Sequence, residues 1–85
     1  MTKSVFSDAY AVLLDAIIAA RKEVGLTQVE LAGRLGKPQP FISYVERGER
    51  RLDVIEFCAW AKAMGIPAEK LFARVLHGLP DDLPI

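Results

Sequence analysis

Glycine and proline divide this chain into five short segments. Glycine stands at positions 25, 36, 48, 65 and 78, and proline follows three of these glycines two residues later, at 38, 67 and 80. Glycine ends helices well because it adopts left-handed backbone angles, and proline suits the first turn of a helix. Apolar residues recur at helical spacing within the segments, and no run alternates as a strand would. The sequence predicts an all-α fold of five helices, over about residues 8–24, 27–36, 38–47, 53–65 and 67–77.

Helix-start signals support these boundaries. Thr27 followed by Glu30, and Asp53 followed by Glu56, have the spacing of a capping box. In that arrangement the first side chain accepts a hydrogen bond from a free amide of the first turn, and the glutamate accepts one from the cap residue. Ser7 is expected to cap the first helix. The second helix is therefore predicted to begin at Thr27 and the fourth at Asp53.

The fourth helix has an apolar stripe that we expect to face inward. The stripe comprises Val54, Phe57, Cys58, Ala61 and Met64. In this position Cys58 would be a buried structural thiol, because a redox sensor needs exposure and basic neighbours. Ile55 and Trp60 lie off the stripe and are candidates for a dimer interface. The alternative for Trp60 is that it covers the edge of the core.

Composition favours one compact domain and excludes several classes of protein. The chain has 85 residues, 52% hydrophobic and 26% charged, which is typical of a single folded domain. We expect this domain to cover residues 1–79, with an extended tail over residues 80–85. One cysteine and one histidine predict no disulfide and no metal site.

Other classes are excluded by what the sequence lacks. No catalytic triad spacing or glycine-rich phosphate loop occurs, so we expect neither an enzyme nor a cofactor. A small-molecule ligand is not expected either. No apolar run approaches the roughly 20 residues of a membrane span, and the first residues do not resemble a signal peptide. These observations predict a cytoplasmic protein that has no membrane partner.

The formal net charge is zero, but the charges are unevenly distributed. Residues 21–51 contain seven basic and four acidic residues, a net charge of +3, and the remainder carries −3. A basic face can attract a polyanion even when the total charge is zero, because salt screens interactions beyond roughly 10 Å. The alternative is chance scatter in a short chain, and charge alone does not decide between the two.

The second and third segments have the form of a helix-turn-helix. Two short helices are joined by a tight turn around residues 36–38, and in such a unit the second helix enters the DNA major groove. Gln39 and Tyr44 would then face outward from that helix, with Ser43 and Arg47 toward its flanks. A glutamine amide can hydrogen-bond the N6 and N7 atoms of adenine.

Four stretches together resemble the phage repressor/Cro-type helix-turn-helix domain of the XRE family. They are LTQVELA, the turn LGKPQ, the core FISYVERG of the third helix, and AKAMGIPAEKLF in the fourth and fifth helices. The resemblance covers about residues 20–72. It implies a five-helix, lambda-repressor-like domain that binds double-stranded DNA, and it implies roles for particular side chains.

The resemblance assigns these roles by position. The positions that face bases are Gln39, Pro40 and Tyr44. The positions that contact phosphates are Gln28, Lys37, Ser43, Arg47, Arg50 and Arg51. Arg21 and Glu46 match a pair that often forms an internal salt bridge in this family, the alternative being that Glu46 is a solvated surface acid. Pro38, Pro40 and Tyr44 depart from the residues usual at their positions, which weakens the assignment of base contacts.

The predicted function is that of a sequence-specific DNA-binding transcriptional regulator, a repressor that inserts residues 39–47 into the major groove. A homodimer on a two-fold symmetric operator fits this reading, because symmetry places two such helices about 34 Å apart on one side of the DNA. The alternative is a protein-interaction module, such as an antitoxin-like or adaptor domain, which keeps the fold without binding DNA. Zero net charge and the two prolines favour that alternative slightly.

Overall fold

The structure, a computed structural model, describes residues 8–83. Its five helices, in chain order, are α1 (Asp8–Glu23), α2 (Gln28–Leu35), α3 (Gln39–Glu46), α4 (Val54–Met64) and α5 (Ala68–Gly78). No strand occurs among the described residues. The all-α prediction is therefore confirmed, and every helix lies within two residues of its predicted position. None of these helices is long and apolar enough to span a membrane.

Both predicted capping boxes are present. Thr27 Oγ1 accepts from the backbone N–H of Glu30, whose carboxylate accepts in turn from the backbone N–H of Thr27. Asp53 and Glu56 make the same two bonds at the start of α4. Each box satisfies two amide groups that a helix start would otherwise leave unpaired. The predicted cap Ser7 lies outside the described residues.

The core lies where the inner faces of all five helices meet. Its buried apolar residues are Leu14, Ile17, Ala20, Leu26, Leu31, Ala32, Ile42, Val45, Phe57, Trp60, Ala61, Met64, Leu71 and Val75. α2 packs against α3 and α4, while α1 packs against α5 and α3. At Gly78, α5 packs closely against α1, because a Cβ atom there would lie 2.7 Å from Val12 Cγ1.

The inward stripe of α4 differs from the prediction. Trp60 is only 2% exposed and belongs to the core, whereas Val54 and Cys58 are exposed. The predictions of Trp60 at a dimer interface and of a buried Cys58 are therefore wrong. Phe57, Trp60, Ala61 and Met64 also have helical i, i+3, i+4, i+7 spacing, and this face buries the large indole in place of a small thiol. α4 is therefore rotated about its axis relative to the predicted orientation. Ile55, the other predicted interface residue, is 76% exposed.

An apolar groove of about 750 Å³ lies between α1, α4 and α5. Its main apolar lining residues are Leu13, Leu52, Phe57, Phe72, Val75 and Leu79. Four apolar side chains of α4 and α5 are exposed, namely Val54, Ile55, Phe72 and Leu76, and Val54 and Phe72 also line the groove. We call these four residues the α4–α5 face. Leu79 packs on the core and residues 80–83 are exposed, while residues 84–85 of the predicted tail lie outside the described residues.

Candidate nucleic-acid interface

The turn between α2 and α3 sets the angle at which α3 leaves the core. Gly36 adopts a left-handed conformation, with φ 66°, that residues with a side chain rarely adopt. The backbone N–H of Lys37 then donates to the carbonyl of Ala32 at 2.9 Å, which closes the end of α2. Pro38 is extended immediately before α3, and Pro40 occupies its first turn, where no amide donor is lost from the helix.

One face of α3 is buried and the opposite face is exposed. Ile42 and Val45 are fully buried against the core. Pro40, Tyr44 and Arg47 are exposed, while Gln39 and Ser43 are half-buried. This outward face has the i, i+4, i+7 spacing expected of a helix surface. Of the residues predicted to face bases, Pro40 and Tyr44 are therefore exposed on the outward side of α3, and Gln39 is half-buried at the start of the helix.

Arg21 and Glu46 form a buried ion pair between α1 and α3. Arg21 Nε donates to Glu46 Oε2 at 2.7 Å, and Arg21 Nη2 donates to Glu46 Oε1 at 3.1 Å. A third bond, from Arg21 Nη1 to the carbonyl oxygen of Leu26 at 2.8 Å, holds the guanidinium against the loop between α1 and α2. This two-point geometry is the strongest form of arginine–carboxylate pairing. The pair connects α3 to the body of the domain.

Two glutamines extend this pair to the outer face of α3. Gln28 Nε2 donates to Glu46 Oε1 at 2.9 Å, and Gln39 Nε2 donates to Gln28 Oε1 at 2.8 Å. Gln28 and Gln39 are the first residues of α2 and α3, so the helix starts bring the two amides together. We call this set the polar chain, and its members in order are Arg21, Glu46, Gln28 and Gln39.

Carboxylates neighbour two of the arginines predicted to contact phosphates. Arg47 donates to both carboxylate oxygens of Glu49, at 3.0 and 3.2 Å, and also to Ser43 Oγ. Arg50 donates to both carboxylate oxygens of Glu56 at 2.9 Å. These bonds raise the pKa of each arginine and lower the pKa of its glutamate partner. Neither glutamate could be identified as a partner from the sequence, because nothing in the spacing of Arg50 and Glu56 marks a pair across a loop.

Lys37 and Arg51 lie over aromatic rings instead. The Lys37 ammonium lies 5.2 Å from the centroid of the Phe41 ring, and Arg51 Cζ lies 4.5 Å from that of Tyr10. Arg50 Cζ also lies over Phe41, at 4.9 Å. Phe41 itself is half-buried and packs on Trp60, with 6.0 Å between ring centroids. Such cation–π contacts hold a charge in place while leaving it accessible to an anion.

The described residues hold no other obvious chemical site. Among residues 8–83, no group of three histidine, cysteine or carboxylate side chains is placed to bind a metal ion. Cys58 is an exposed residue of α4, and no residue of the polar chain lies on that helix. The clearest concentration of exposed polar and basic side chains is the outer face of α3 with its flanking cations.

Comparison with known proteins supports the same assignment. The family model described as "Helix-turn-helix" matches residues 17–71. A solved structure described as an XRE-family like protein from Pseudomonas syringae pv. tomato is 44% identical, with a TM-score of 0.77. That alignment covers 85% of this chain and 88% of the other. The match therefore extends over nearly all of the described fold.

Other relatives are similar over shorter or more divergent stretches. An uncharacterized HTH-type transcriptional regulator, y4dJ, of Sinorhizobium fredii is 44% identical over 46 residues, which are 54% of this chain and 60% of that relative. A mutant of the restriction-modification controller protein C.Esp1396I has a TM-score of 0.78 at 24% identity, covering 84% of this chain and 95% of the other. The clp gene regulator ClgR from C. glutamicum has a TM-score of 0.76 at 18% identity, covering 91% of this chain and all of that one. At these two identities the likeness shows a shared fold.

Proposed function

Because this chain belongs to the helix-turn-helix family, and within it to the XRE type, we propose that it is a sequence-specific DNA-binding transcriptional regulator. The carrying observation is the outer face of α3, where Pro40 and Tyr44 are exposed and Gln39 is half-buried at the start of the helix. In a helix-turn-helix the second helix enters the major groove and its first residues contact base edges. Gln39 supplies amide hydrogen bonds, Pro40 an apolar contact such as a thymine methyl group, and Tyr44 a phenol.

Phosphate contacts would come from the side chains that flank this face. They are Gln28, Lys37, Ser43, Arg47, Arg50 and Arg51. Arg47 and Arg50 are paired with glutamates in the free protein, but exposed ion pairs contribute little to stability because solvent screens them. A phosphate can therefore replace a carboxylate partner at small cost. Each neutralised phosphate also releases counterions, so affinity should fall steeply with salt.

We further propose that the protein acts as a homodimer on a two-fold symmetric operator and represses transcription there. The α4–α5 face supports a dimer, because its four apolar side chains are exposed on adjacent helices, and exposed apolar patches often mark protein interfaces. Ile55 is the predicted interface residue that remains exposed. Two-fold symmetry would place the two copies of α3 in successive major grooves, about 34 Å apart.

The second candidate is a protein-interaction module that does not need DNA. The same exposed α4–α5 face favours it, since a partner protein could cover these side chains as well as a second copy could. The pairing of Arg47 and Arg50 with glutamates is also compatible with a surface that does not bind a polyanion. The two candidates differ in whether α3 recognises a base sequence.

Selection from a random double-stranded DNA library tests the proposal directly. We expect the full chain to enrich a two-fold symmetric consensus whose binding weakens as salt increases. Failure to enrich any sequence, together with no salt-sensitive retention of DNA in mobility shifts, would favour the interaction module. A consensus without two-fold symmetry would reject the homodimer while keeping the DNA-binding function.

Two substitutions on α3 separate base contacts from phosphate contacts. Gln39→Ala should cost about 1–3 kcal/mol at the selected site and relax the preference at one base pair, because it removes a specific hydrogen-bonding side chain. Arg47→Ala should weaken binding to all sequences and reduce the salt slope by about one phosphate contact. Salt-titrated binding to the selected and a scrambled duplex measures both. Unchanged discrimination in the first variant, or an unchanged slope in the second, would contradict these roles.

A further inference from the structure

We propose that Glu49 and Glu56 compete with DNA phosphates: each carboxylate occupies the guanidinium of one arginine in the free protein and thereby lowers the affinity for every duplex alike. Glu56, whose carboxylate is held in place by a second bond, is the stronger competitor. The inference rests on the proposed function for the identity of the polyanion. It goes beyond that function because it gives acidic side chains, which contact neither bases nor phosphates, control of the affinity.

The two arginines are bonded in the geometry with which arginine also binds phosphate. Arg47 donates from Nε and Nη2 to the two carboxylate oxygens of Glu49, at 3.0 and 3.2 Å. Arg50 donates from Nη1 and Nη2 to the two carboxylate oxygens of Glu56, both at 2.9 Å. Arginine binds carboxylates and phosphates alike through two parallel N–H groups. A phosphate can therefore take this position on either arginine only after the carboxylate has left it.

An aromatic ring of α3 lies beside each of these arginines. Arg47 Cζ is 5.3 Å from the centroid of the Tyr44 ring, and Arg50 Cζ is 4.9 Å from that of Phe41. The Lys37 ammonium also lies over the Phe41 ring. These contacts do not involve the carboxylates, so each cation should stay over its ring when a carboxylate is removed. Removal of the carboxylate then exposes a cation that is already positioned for an anion.

The two carboxylates differ in how firmly they are held. Glu49 lies in the loop after α3, and 56% of its side chain is exposed. Glu56 lies in the first turn of α4, where its Oε1 also accepts from the backbone N–H of Asp53 at 3.0 Å, and 30% of its side chain is exposed. A carboxylate that completes a capping box leaves an amide unpaired when it turns away. Glu56 should therefore remain beside Arg50 as DNA approaches, whereas Glu49 is free to turn into solvent.

Glu56 also faces more positive charge than Glu49 does. The side-chain hydrogen bond from Arg50 lowers the pKa of Glu56 most, the backbone hydrogen bond from Asp53 comes next, and the charges of Arg50 and Lys37 lower it further. The pKa of Glu49 is lowered by its hydrogen bond with Arg47 and by the charge of that arginine. Glu56 thus offsets the charge of two cations that are predicted to contact phosphates. Removing its charge should make both of them available to DNA.

Substitution by glutamine removes each charge and keeps the shape of the side chain. Glu56→Gln preserves the capping box of α4, because glutamine serves at that position as glutamate does. Glu49→Gln changes an exposed loop residue, and such substitutions rarely affect the fold. Glu23→Gln is the matched control, since Glu23 accepts from Arg74 of α5 at 3.0 and 2.9 Å and neither residue is predicted to contact DNA. It removes the same charge and the same kind of exposed ion pair.

Binding to the selected and the scrambled duplex at low salt tests the competition. We expect Glu56→Gln to tighten binding about 3- to 5-fold and Glu49→Gln about 2-fold, equally for both duplexes, which is the range of an exposed ion pair. Glu23→Gln should bind as the wild type does. The gains should shrink as salt increases, because salt screens exposed charges.

Three results of the binding measurement would contradict the inference. An equal gain in Glu23→Gln would show that net charge alone is responsible. Unchanged or weaker binding in Glu56→Gln would show that its carboxylate does not compete with phosphate. A larger gain in Glu49→Gln than in Glu56→Gln would overturn the assignment of Glu56 as the stronger competitor.

Heparin chromatography separates this inference from the proposed function. Heparin is a sulfated polyanion without bases, so its retention depends on accessible cations rather than on base recognition. We expect Glu56→Gln to elute at higher salt than the wild type, and Glu23→Gln to elute with the wild type. Elution of Glu56→Gln together with that control would overturn the competition. Failure of the wild type and every variant to bind any duplex would instead overturn the proposed function, and the order of elution from heparin would still decide whether the carboxylates compete with an anion.

Discussion

The outer end of α3 and the α4–α5 face are both accessible to solvent, yet their side chains are arranged in opposite ways. At α3, Gln39 is held by the polar chain and the flanking cations are held by carboxylates or rings. On the α4–α5 face, Ile55 and Leu76 are apolar and largely exposed. The first surface has its polar groups oriented before any ligand arrives. The second has apolar area that would gain free energy by being covered.

This difference separates two kinds of recognition within one small domain. Oriented hydrogen-bonding groups discriminate between ligands, because a wrong partner leaves a polar group unpaired. Apolar area supplies affinity with less geometric selectivity. In the proposed function, α3 therefore chooses the base sequence and the α4–α5 face supplies association of two copies. Substitutions in each region should separate specificity from stability and assembly.

The largest expected effect follows from breaking the buried ion pair. Arg21→Met leaves Glu46 buried without its partner, and removal of one member of such a pair costs about 3–5 kcal/mol of unfolding free energy. Urea unfolding measured by circular dichroism gives this value. A loss below about 1 kcal/mol, the range of an exposed ion pair, would show that the bonds between Arg21 and Glu46 do little to stabilise the fold.

The double variant Arg21→Met/Glu46→Leu is the control for that measurement. It removes both charges and replaces them with apolar side chains, which is often neutral for stability at buried pairs. We expect it to recover most of the stability lost in Arg21→Met. It should not recover the orientation of Gln39, because Gln28 no longer has an acceptor at position 46. Recovery of both properties would mean that the ion pair is only structural.

A somewhat smaller contrast is expected between two leucines of α5. Leu71 is fully buried and Leu76 is 54% exposed. Leu71→Ala should destabilise the domain by about 2–5 kcal/mol through lost burial and a cavity, while Leu76→Ala should change monomer stability by no more than about 0.5 kcal/mol. Sedimentation equilibrium of Leu76→Ala and Ile55→Ala then reports association. Unaltered association in both variants would argue against the α4–α5 face as the dimer interface.

Helix positions were predictable because their signals are local. Gly36 and Gly65 end helices in the left-handed conformation, and both capping boxes form as their spacing indicates. The buried face of α4 was not predictable in the same way. Its apolar residues fit two helical stripes, one including Cys58 and the other Trp60, and packing against Phe41 and the rest of the core selects the second. Periodicity cannot choose between two apolar faces of one helix.

The candidate site also has some features that were predictable from local sequence signals and others that depend on tertiary packing. The outward face of α3 follows from the inward positions of Ile42 and Val45 on a helix of known start. The partners of Arg47 and Arg50 do not, because a loop separates Arg50 from Glu56 and its path is set by tertiary packing. The polar chain also needs the relative placement of α2 and α3, so no spacing in the sequence marks the bond between Gln28 and Gln39.

The smallest effect is expected from acid titration of Glu56, which connects the two regions by capping α4 and pairing with Arg50. The side-chain hydrogen bond from Arg50, then the backbone hydrogen bond from Asp53, lower the pKa of Glu56. A carboxyl whose pKa is lower when folded stabilises the fold above its unfolded pKa of about 4.3 and loses that contribution as pH falls through the folded pKa. Glu56→Gln should therefore unfold with a shallower dependence on pH below about 5 than the wild type. Arg50→Gln removes the main cause of the shift and should flatten the dependence in the same sense. If Glu56→Gln flattens it and Arg50→Gln does not, the capping amide rather than the arginine holds the carboxylate, and Arg50 is free to bind phosphate without cost to α4.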